Sequence, residues 1–453
     1  MKRSVLFTLV GALFLVSAGF VRGEVFKDGE TVCFLGDSIT HAGRFHGMIL
    51  DYYLTRFPER TIRFVNAGIA GDSAGGAQGR LEEDVIVKKP TSVAVMFGMN
   101  DVGRGNYVAE PDAQKKAAQQ GALDHYQKNM VRLVERLRKE GGEPKLLFIT
   151  PSPFDQTVVL ERDNNQPGCN DGLGRCAEIV RELAAKNAAT LVDFHGPMTA
   201  FNLEQQKRDP KYTIVGGDRV HPGTPGHLMM AWLFLKAQGV PSVVSQVAVD
   251  AAAGRVAESV NAEVTAVAKK DGGVAFTVLE KALPLPVDPG AKPLLDLLPI
   301  EKDLNQELFA VTGLADGKYE VKIDGVAVGQ YAASALAQGV NLAFNEATPQ
   351  FRQAQAVARL NEARRQTETK LRNYAAVRWF LRIRKVDPDD LAAVKVFAET
   401  KMNKTGYFEA QVPAYLEKWG ARGEIVAQVA EQEQALFAAR KPVPHGYEVV
   451  AVK

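Results

Sequence analysis

Three side chains in this sequence are of the types that acyl transfer needs: Ser38, and far downstream the pair Asp218 and His221. A serine hydroxyl is a weak nucleophile and needs a base beside it, and histidine is the side chain that titrates near neutrality. An acid must hold the imidazole in one tautomer and offset the charge it gains. Asp218 stands three residues before His221 and can do this from a single loop that curls back on itself. The tetrahedral intermediate would carry an oxyanion. The backbone N–H of Ser38, the backbone N–H of Gly68 and the side-chain amide of Asn100 supply three donors for it. Removing one such donor raises a barrier by roughly 3 to 4 kcal/mol.

Something must bring these segments together, and the apolar runs before them are the candidates. Gly36-Asp37-Ser38-Ile39-Thr40 follows Val32 to Leu35, Asn66-Ala67-Gly68 follows Ile62 to Val65, and Gly98-Met99-Asn100-Asp101 follows Val93 to Phe97. Two more runs, Leu146 to Ile149 and Thr190 to Phe194, precede Asp218. Apart from Arg63 and Asp193 the runs are almost continuously apolar, which predicts strands buried on both faces of a parallel sheet. Helical patterns lie between them. Met130, Leu133, Val134 and Leu137 recur at helical spacing within Tyr126 to Leu137, and Pro225 to Lys236 follows a Pro-Gly pair. Strands alternating with helices predict a three-layer α/β/α domain, whose ligands bind at the carboxyl edge of the sheet.

Each residue also has a plainer reading. Asn66 and Asn100 can be turn asparagines, and Gly68 can relieve a left-handed backbone. Asp72 can brace a loop and Asp101 can cap the segment after it. A helix after Ser38 would carry His41 and His46 away from the edge, His195 reads as a loop histidine, and His227 as a support for the last helix. Only His221 has an acid at the required spacing and a helix start after it.

In this order, Gly36-Asp37-Ser38, Gly68, Gly98-x-Asn100-Asp101 and Asp218-x-x-His221 resemble the four sequence blocks of the SGNH (GDSL-type) hydrolase superfamily over roughly residues 24–239. The resemblance implies a flavodoxin-like fold with five parallel strands. It also implies Ser38 as nucleophile, His221 as base, Asp218 as orienting acid, and Ser38, Gly68 and Asn100 as the oxyanion hole. Ile39 stands where the family's name motif has leucine; that position packs and does no chemistry. A serine esterase working through an acyl-enzyme needs no cofactor and no metal. The implied substrates are small-molecule or polysaccharide esters, first among them acetylated carbohydrates. Lipid, aryl and thioester hydrolysis stay open within the superfamily, and so does a catalytically silent protein that binds a glycan or a partner.

The remaining sequence sets the context. Lys2-Arg3, the apolar stretch Ser4 to Phe20 and Val21-Arg22-Gly23 predict a secretory signal peptide over residues 1–23, hence an exported protein without a lasting membrane anchor. Export permits disulfides, and Cys169 and Cys176 bracket a short polar segment that a disulfide could close, whereas Cys33 reads as a buried strand residue. With 46% hydrophobic residues and a net charge of +2 the 453-residue chain can fill a large core, and no basic run suggests nucleic acid. Residues 240–345 turn Val-, Ala- and Thr-rich, with a predicted hairpin from Tyr319 to Val328, and read as a small β-rich accessory module. Residues 346–453 read as a charged helical region. Nothing in the sequence fixes an oligomeric state.

Overall fold

The five apolar runs form the parallel sheet they predict. The computed structural model of the chain describes residues 24–270, 272–400 and 406–452. The segment read as a signal peptide, residues 1–23, lies outside them, as do residues 401–405 of the late helical stretch. β1 (Thr31–Gly36), β2 (Arg63–Gly68), β3 (Ser92–Met96), β4 (Lys145–Ile149) and β5 (Thr190–Val192) pair in the order β2-β1-β3-β4-β5. The alternation along each strand divides the core. Val32, Phe34, Ala94, Met96 and Leu147 face the helices Arg44–Arg56 and Thr224–Gln238, while Cys33, Leu35, Val93, Val95 and Phe148 face Ala113–Glu140 and Cys169–Lys186. Within Ala113–Glu140, Tyr126, Met130, Leu133, Val134 and Leu137 are the buried stripe, as their spacing predicts. Gly239, at φ 64°, ends the helix Thr224–Gln238 in the left-handed conformation that glycine adopts cheaply.

Cys169 and Cys176 do not form the disulfide left open by the sequence; both are free and buried. They sit in one helix, Cys169–Lys186, close to two turns apart. That places their Cα atoms roughly 10 Å apart, beyond a disulfide's reach.

Beyond residue 240 two antiparallel-rich sheets face each other. β6 (Val243–Asp250), β7 (Arg255–Val260), β8 (Ala262–Lys270), β9 (Gly273–Glu280), β10 (Gln306–Thr312), β11 (Lys318–Ile323), β12 (Val326–Ala332), β13 (Val340–Asn341) and β14 (His445–Ala451) are arranged as β13-β10-β6-β7 and β12-β11-β14-β9-β8. β11 and β12 are the predicted hairpin. The region read as helical therefore ends in a strand, and that strand lies inside the second sheet, between β11 and β9. Tyr447 on β14 packs on both Phe276 and Phe309, with ring centroids 5.5 and 5.6 Å away, and these two rings lie 6.2 Å from each other, so a cluster of three rings ties the two sheets together.

The helix Pro349–Ile383, 35 residues long, crosses back to the α/β unit. Ala354 and Val357 enter the same core as Phe34 and Phe45. Asn361 donates to the Gly47 carbonyl and to Asp51. Deeper, Arg372 reaches the Asn66 carbonyl at 3.0 Å and Asp84 at 2.7 Å. There it joins a buried network centred on Arg80, which binds Asp72, Asp84 and the carbonyls of Ala67 and Gly36. Burial by itself would raise the Asp84 carboxyl, yet Arg372 and Arg80 hold it at about 2. Two arginines against two aspartates leave the buried group neutral overall, which is the condition for tolerating it.

Arg80→Leu removes the cation from Asp72 and the donors from two strand-end carbonyls. The expected loss of stability is about 3 to 5 kcal/mol, read by urea denaturation. A loss below about 1 kcal/mol would show that the network does not hold the strand ends.

Candidate active site

The site is assembled where β1, β2 and β3 end. β1 and β2 run in register to Gly36 opposite Gly68, and the chain turns at once into the single helical turn Ser38–His41. Asp37 caps that turn, accepting from the Ile39 N–H at 3.1 Å, and burial pushes its carboxyl up to about 6. Both glycines are required by space. A Cβ on Gly36 would lie 2.3 Å from Thr40 Oγ1, and one on Gly68 would lie 2.2 Å from the His41 nitrogen. The turn that carries Ser38 can therefore lie flat against the sheet edge only because neither position has a side chain.

Asp218 and His221 come from the loop before the helix Thr224–Gln238. The loop curls as its spacing suggests: Asp218 Oδ1 accepts from the backbone N–H of Val220 and of His221, and Oδ2 lies 2.5 Å from His221 Nδ1. Partial burial would raise the Asp218 carboxyl, but these hydrogen bonds keep it below the usual aspartate value. With Nδ1–H donated to the carboxylate, Nε2 is free to accept, and Ser38 Oγ lies 2.8 Å from it. The curl depends on Arg219, which holds φ 65°, a left-handed backbone that costs an arginine about 1 to 3 kcal/mol. Its buried guanidinium repays this by donating to Asn164 and to the carbonyls of Asp155 and Val158. No motif in the sequence signals that role.

Asn100 lines the cleft and gives one amide hydrogen to the Asp72 carbonyl at 2.9 Å, leaving the other available. Asp101 accepts from the N–H groups of Ala74 and Gly98, so it ties two loops together, and burial pushes its carboxyl up to about 7. Asp72 braces its loop against Arg80, as its plainer reading has it.

The reading of Gly68 as an oxyanion donor is corrected. Its N–H donates to Asn66 Oδ1 at 2.9 Å, and the residue packs beneath His41 instead of lining the cleft. Nor does it adopt a left-handed backbone. The glycine that lines the cleft beside Ser38 and Asn100 is Gly71, three residues on. It holds φ 75°, a Cβ there would meet nothing within 4 Å, and its N–H has no acceptor among the described residues. The only sequence signal was the Gly71-Asp72 pair, an ordinary turn dipeptide.

His41 and His46 part company. His46 is carried away, as expected, and stacks on Phe34 with centroids 4.8 Å apart. His41 stays at the cleft wall because its helix is one turn long. It is no base: Nδ1 accepts from the Ala70 N–H, Nε2 donates to Asn373 Oδ1, and burial holds it neutral down to about 4. His195 and His227 lie outside the cleft lining.

The cleft, of about 650 Å³, has a wall that the sequence did not suggest. Arg365, Thr369 and Asn373 of the long helix line it, together with Tyr407 and Phe408. Phe408 is anchored by stacking on Phe380 and meeting Trp379, and Tyr407 beside it is 59% exposed. Among the described residues no group of three or more His, Cys, Asp or Glu side chains is placed to hold a metal ion. Chemically, the arrangement can pair the Ser38 hydroxyl with an imidazole whose other nitrogen Asp218 holds, in a cleft that Gly71 and Asn100 also line.

A family model described as the GDSL-like lipase/acylhydrolase family matches residues 34–229. An acetylxylan esterase of Geobacillus stearothermophilus is 28% identical over 233 residues, which are 48% of this chain and 98% of that protein. The solved structure of a gut microbial diltiazem-metabolizing enzyme is similar along almost the whole chain, with TM-score 0.89 and 31% identity over 96% of this chain and 100% of the other. A crystal structure of the Geobacillus esterase covers 48% of this chain at 27% identity with TM-score 0.38.

His46 yields a pH test. Burial holds its imidazole down at about 3, against roughly 6.5 in an unfolded chain. Between these values the unfolded state binds the extra proton, so acidification below about 6.5 drains stability from the fold. His46→Gln keeps a donor for the Thr40 carbonyl and removes the titration. Its stability should fall less steeply from pH 6.5 to 4, by up to about 1.4 kcal/mol per pH unit. Equal slopes in denaturation series would refute the buried neutral ring.

Proposed function

We propose that this chain, which belongs to the GDSL-like lipase/acylhydrolase family and so hydrolyses ester bonds, does so through an acyl-enzyme on Ser38. The observation that carries the reading is the run of contacts Ser38 Oγ to His221 Nε2, 2.8 Å, and His221 Nδ1 to Asp218 Oδ2, 2.5 Å. Ser38 Oγ attacks the ester carbonyl while its proton passes to His221 Nε2. The carbonyl oxygen takes the negative charge and is held by the N–H groups of Ser38 and Gly71 and by the Asn100 amide. Collapse expels the alcohol, which takes the proton from His221. Water then gives its proton to the same nitrogen, attacks the acyl-serine, and releases the acid and the free hydroxyl. Asp218 stabilises the imidazolium in both halves.

The preferred esters in this reading are acetylated carbohydrates. The acetylxylan esterase likeness supports that choice, and so does an open cleft in which hydrogen-bonding side chains such as Asn100, Thr369 and Asn373 stand beside an exposed aromatic, Tyr407. A second reading, hydrolysis of small drug-like esters, is favoured by the name of the full-length relative, a diltiazem-metabolizing enzyme. The chain acts outside the cytoplasm, on the strength of the charged start and apolar stretch of residues 1–23.

Labelling with a serine-reactive phosphonate and mapping the peptides should place the adduct on Ser38, and Ser38→Ala should lose both label and esterase activity. Hydrolysis that persists unchanged in Ser38→Ala would sink the nucleophile assignment. Asn100→Ala should lower kcat by roughly 100- to 1,000-fold with little change in KM. A panel of acetylated xylo-oligosaccharides, diltiazem and long-chain esters separates the substrate readings; strong preference for long acyl chains would exclude the carbohydrate one.

A further inference from the structure

Every fully charged side chain that lines the cleft is an arginine. Arg44, Arg104 and Arg365 line it together with Ser38 and His221, and among the described residues no aspartate or glutamate side chain does. The nearest acids are already spent: Asp218 on His221, Asp101 on two backbone N–H groups, and Asp37 on the cap of its own helix. A low-dielectric cleft with one sign of charge concentrates ligands of the other sign.

The three arginines are not equivalent. Arg365 is held in a two-pronged pair with Glu362 at 2.6 Å and donates to the Ala42 carbonyl, so its charge is offset and its role is to build the wall. Arg44, exposed, makes one long contact to Thr224 Oγ1, at 3.5 Å. Arg104 has no hydrogen-bond or ion-pair acceptor among the described residues. Its backbone is nonetheless fixed. It opens the short turn Arg104–Asn106 after Gly103 at φ 70°, and the Tyr107 N–H closes on its carbonyl at 3.0 Å. A guanidinium on a fixed backbone, at a cleft wall and with no hydrogen-bonded acceptor among the described residues, is the form in which arginine recognises a planar oxyanion.

We infer that the alcohol part of the substrate carries a carboxylate that Arg104 binds, with Arg44 reinforcing it: the enzyme hydrolyses esters of acidic sugars in preference to neutral ones. This rests on Ser38 as the nucleophile and narrows the substrate class of that same site. Arg104 acts here on binding. It does not touch the reacting bond.

The test compares three acetyl esters of one sugar glycoside: with a free carboxylate, with that carboxylate methylated, and with a sulfate in its place. The enzyme should favour the carboxylate over its methyl ester by about tenfold in kcat/KM, mostly through KM, which one charge-assisted hydrogen-bond pair supplies. Raising the salt concentration should shrink the ratio. Arg104→Gln should collapse it, and Arg104→Lys should restore part of it. A ratio near one in the unaltered enzyme, or equal losses on the charged and methylated esters in Arg104→Gln, would overturn the inference. Preference for the sulfated ester would overturn the carboxylate assignment. The ratio is read on active enzyme, so its failure is distinct from a failure of Ser38→Ala to abolish turnover.

Discussion

The guanidinium of Arg80 is the point on which the site's architecture rests. It is 2% exposed, and its donors reach the carbonyls of Gly36 and Ala67 together with the carboxylates of Asp72 and Asp84. Those two carbonyls belong to the last residues of β1 and β2, the strands that lead into Ser38 and into the loop of Gly71. The Gly36 carbonyl also accepts from the Ile69 N–H at 3.0 Å, so the guanidinium ties the end of β1 to the loop that follows β2. Arg80 also fixes Asp72, whose carbonyl in turn orients Asn100. Strand ends, loop and donor amide are thus referred to one buried cation.

That cation would be intolerable alone, and its balance ties the second half of the chain to the first. Asp84 is shared between Arg80 and Arg372, and Arg372 comes from the helix Pro349–Ile383. The same helix presents Arg365, Thr369 and Asn373 to the cleft. Beyond its far end comes the turn that carries Tyr407 and Phe408, and the chain finally returns to the β sheets as β14. The region after residue 240 is therefore part of the site's construction. The diltiazem-metabolizing relative matches over 96% of this chain, this region included, whereas the acetylxylan esterase matches over 48% of it.

Electrostatics around Ser38 follow from the same layout. Acids close to Ser38 are each consumed by a backbone or histidine donor, whereas arginines reach the cleft from three separate segments. The histidines divide by burial: His41, His46 and His227 are held neutral, and His221 alone meets both a hydroxyl and a carboxylate.

Much of this was written in local pattern. Continuous apolar runs announced the five strands, because a strand covered on both faces has no polar side to show; the residues after the first and third runs pointed to Ser38 and Asn100, and the three-residue spacing before the last helix of the α/β unit pointed to Asp218 and His221. Local pattern could not tell Gly68 from Gly71. Which N–H faces a cleft depends on the backbone angle and on a competing acceptor, here Asn66 Oδ1, and neither is encoded in spacing. It gave no sign of Arg80, Arg219 or Arg372, since an arginine's burial is decided by carboxylates and carbonyls that reach it through space. Nor did it show the wall built from Arg365, Thr369, Asn373, Tyr407 and Phe408, because the long helix reads as solvated when its partner surface lies far earlier in the chain. The sequence by itself determined the sheet and the reactive side chains on its edge. Only the tertiary structure decided which donors and charges surround them, because those are properties of distance and not of order.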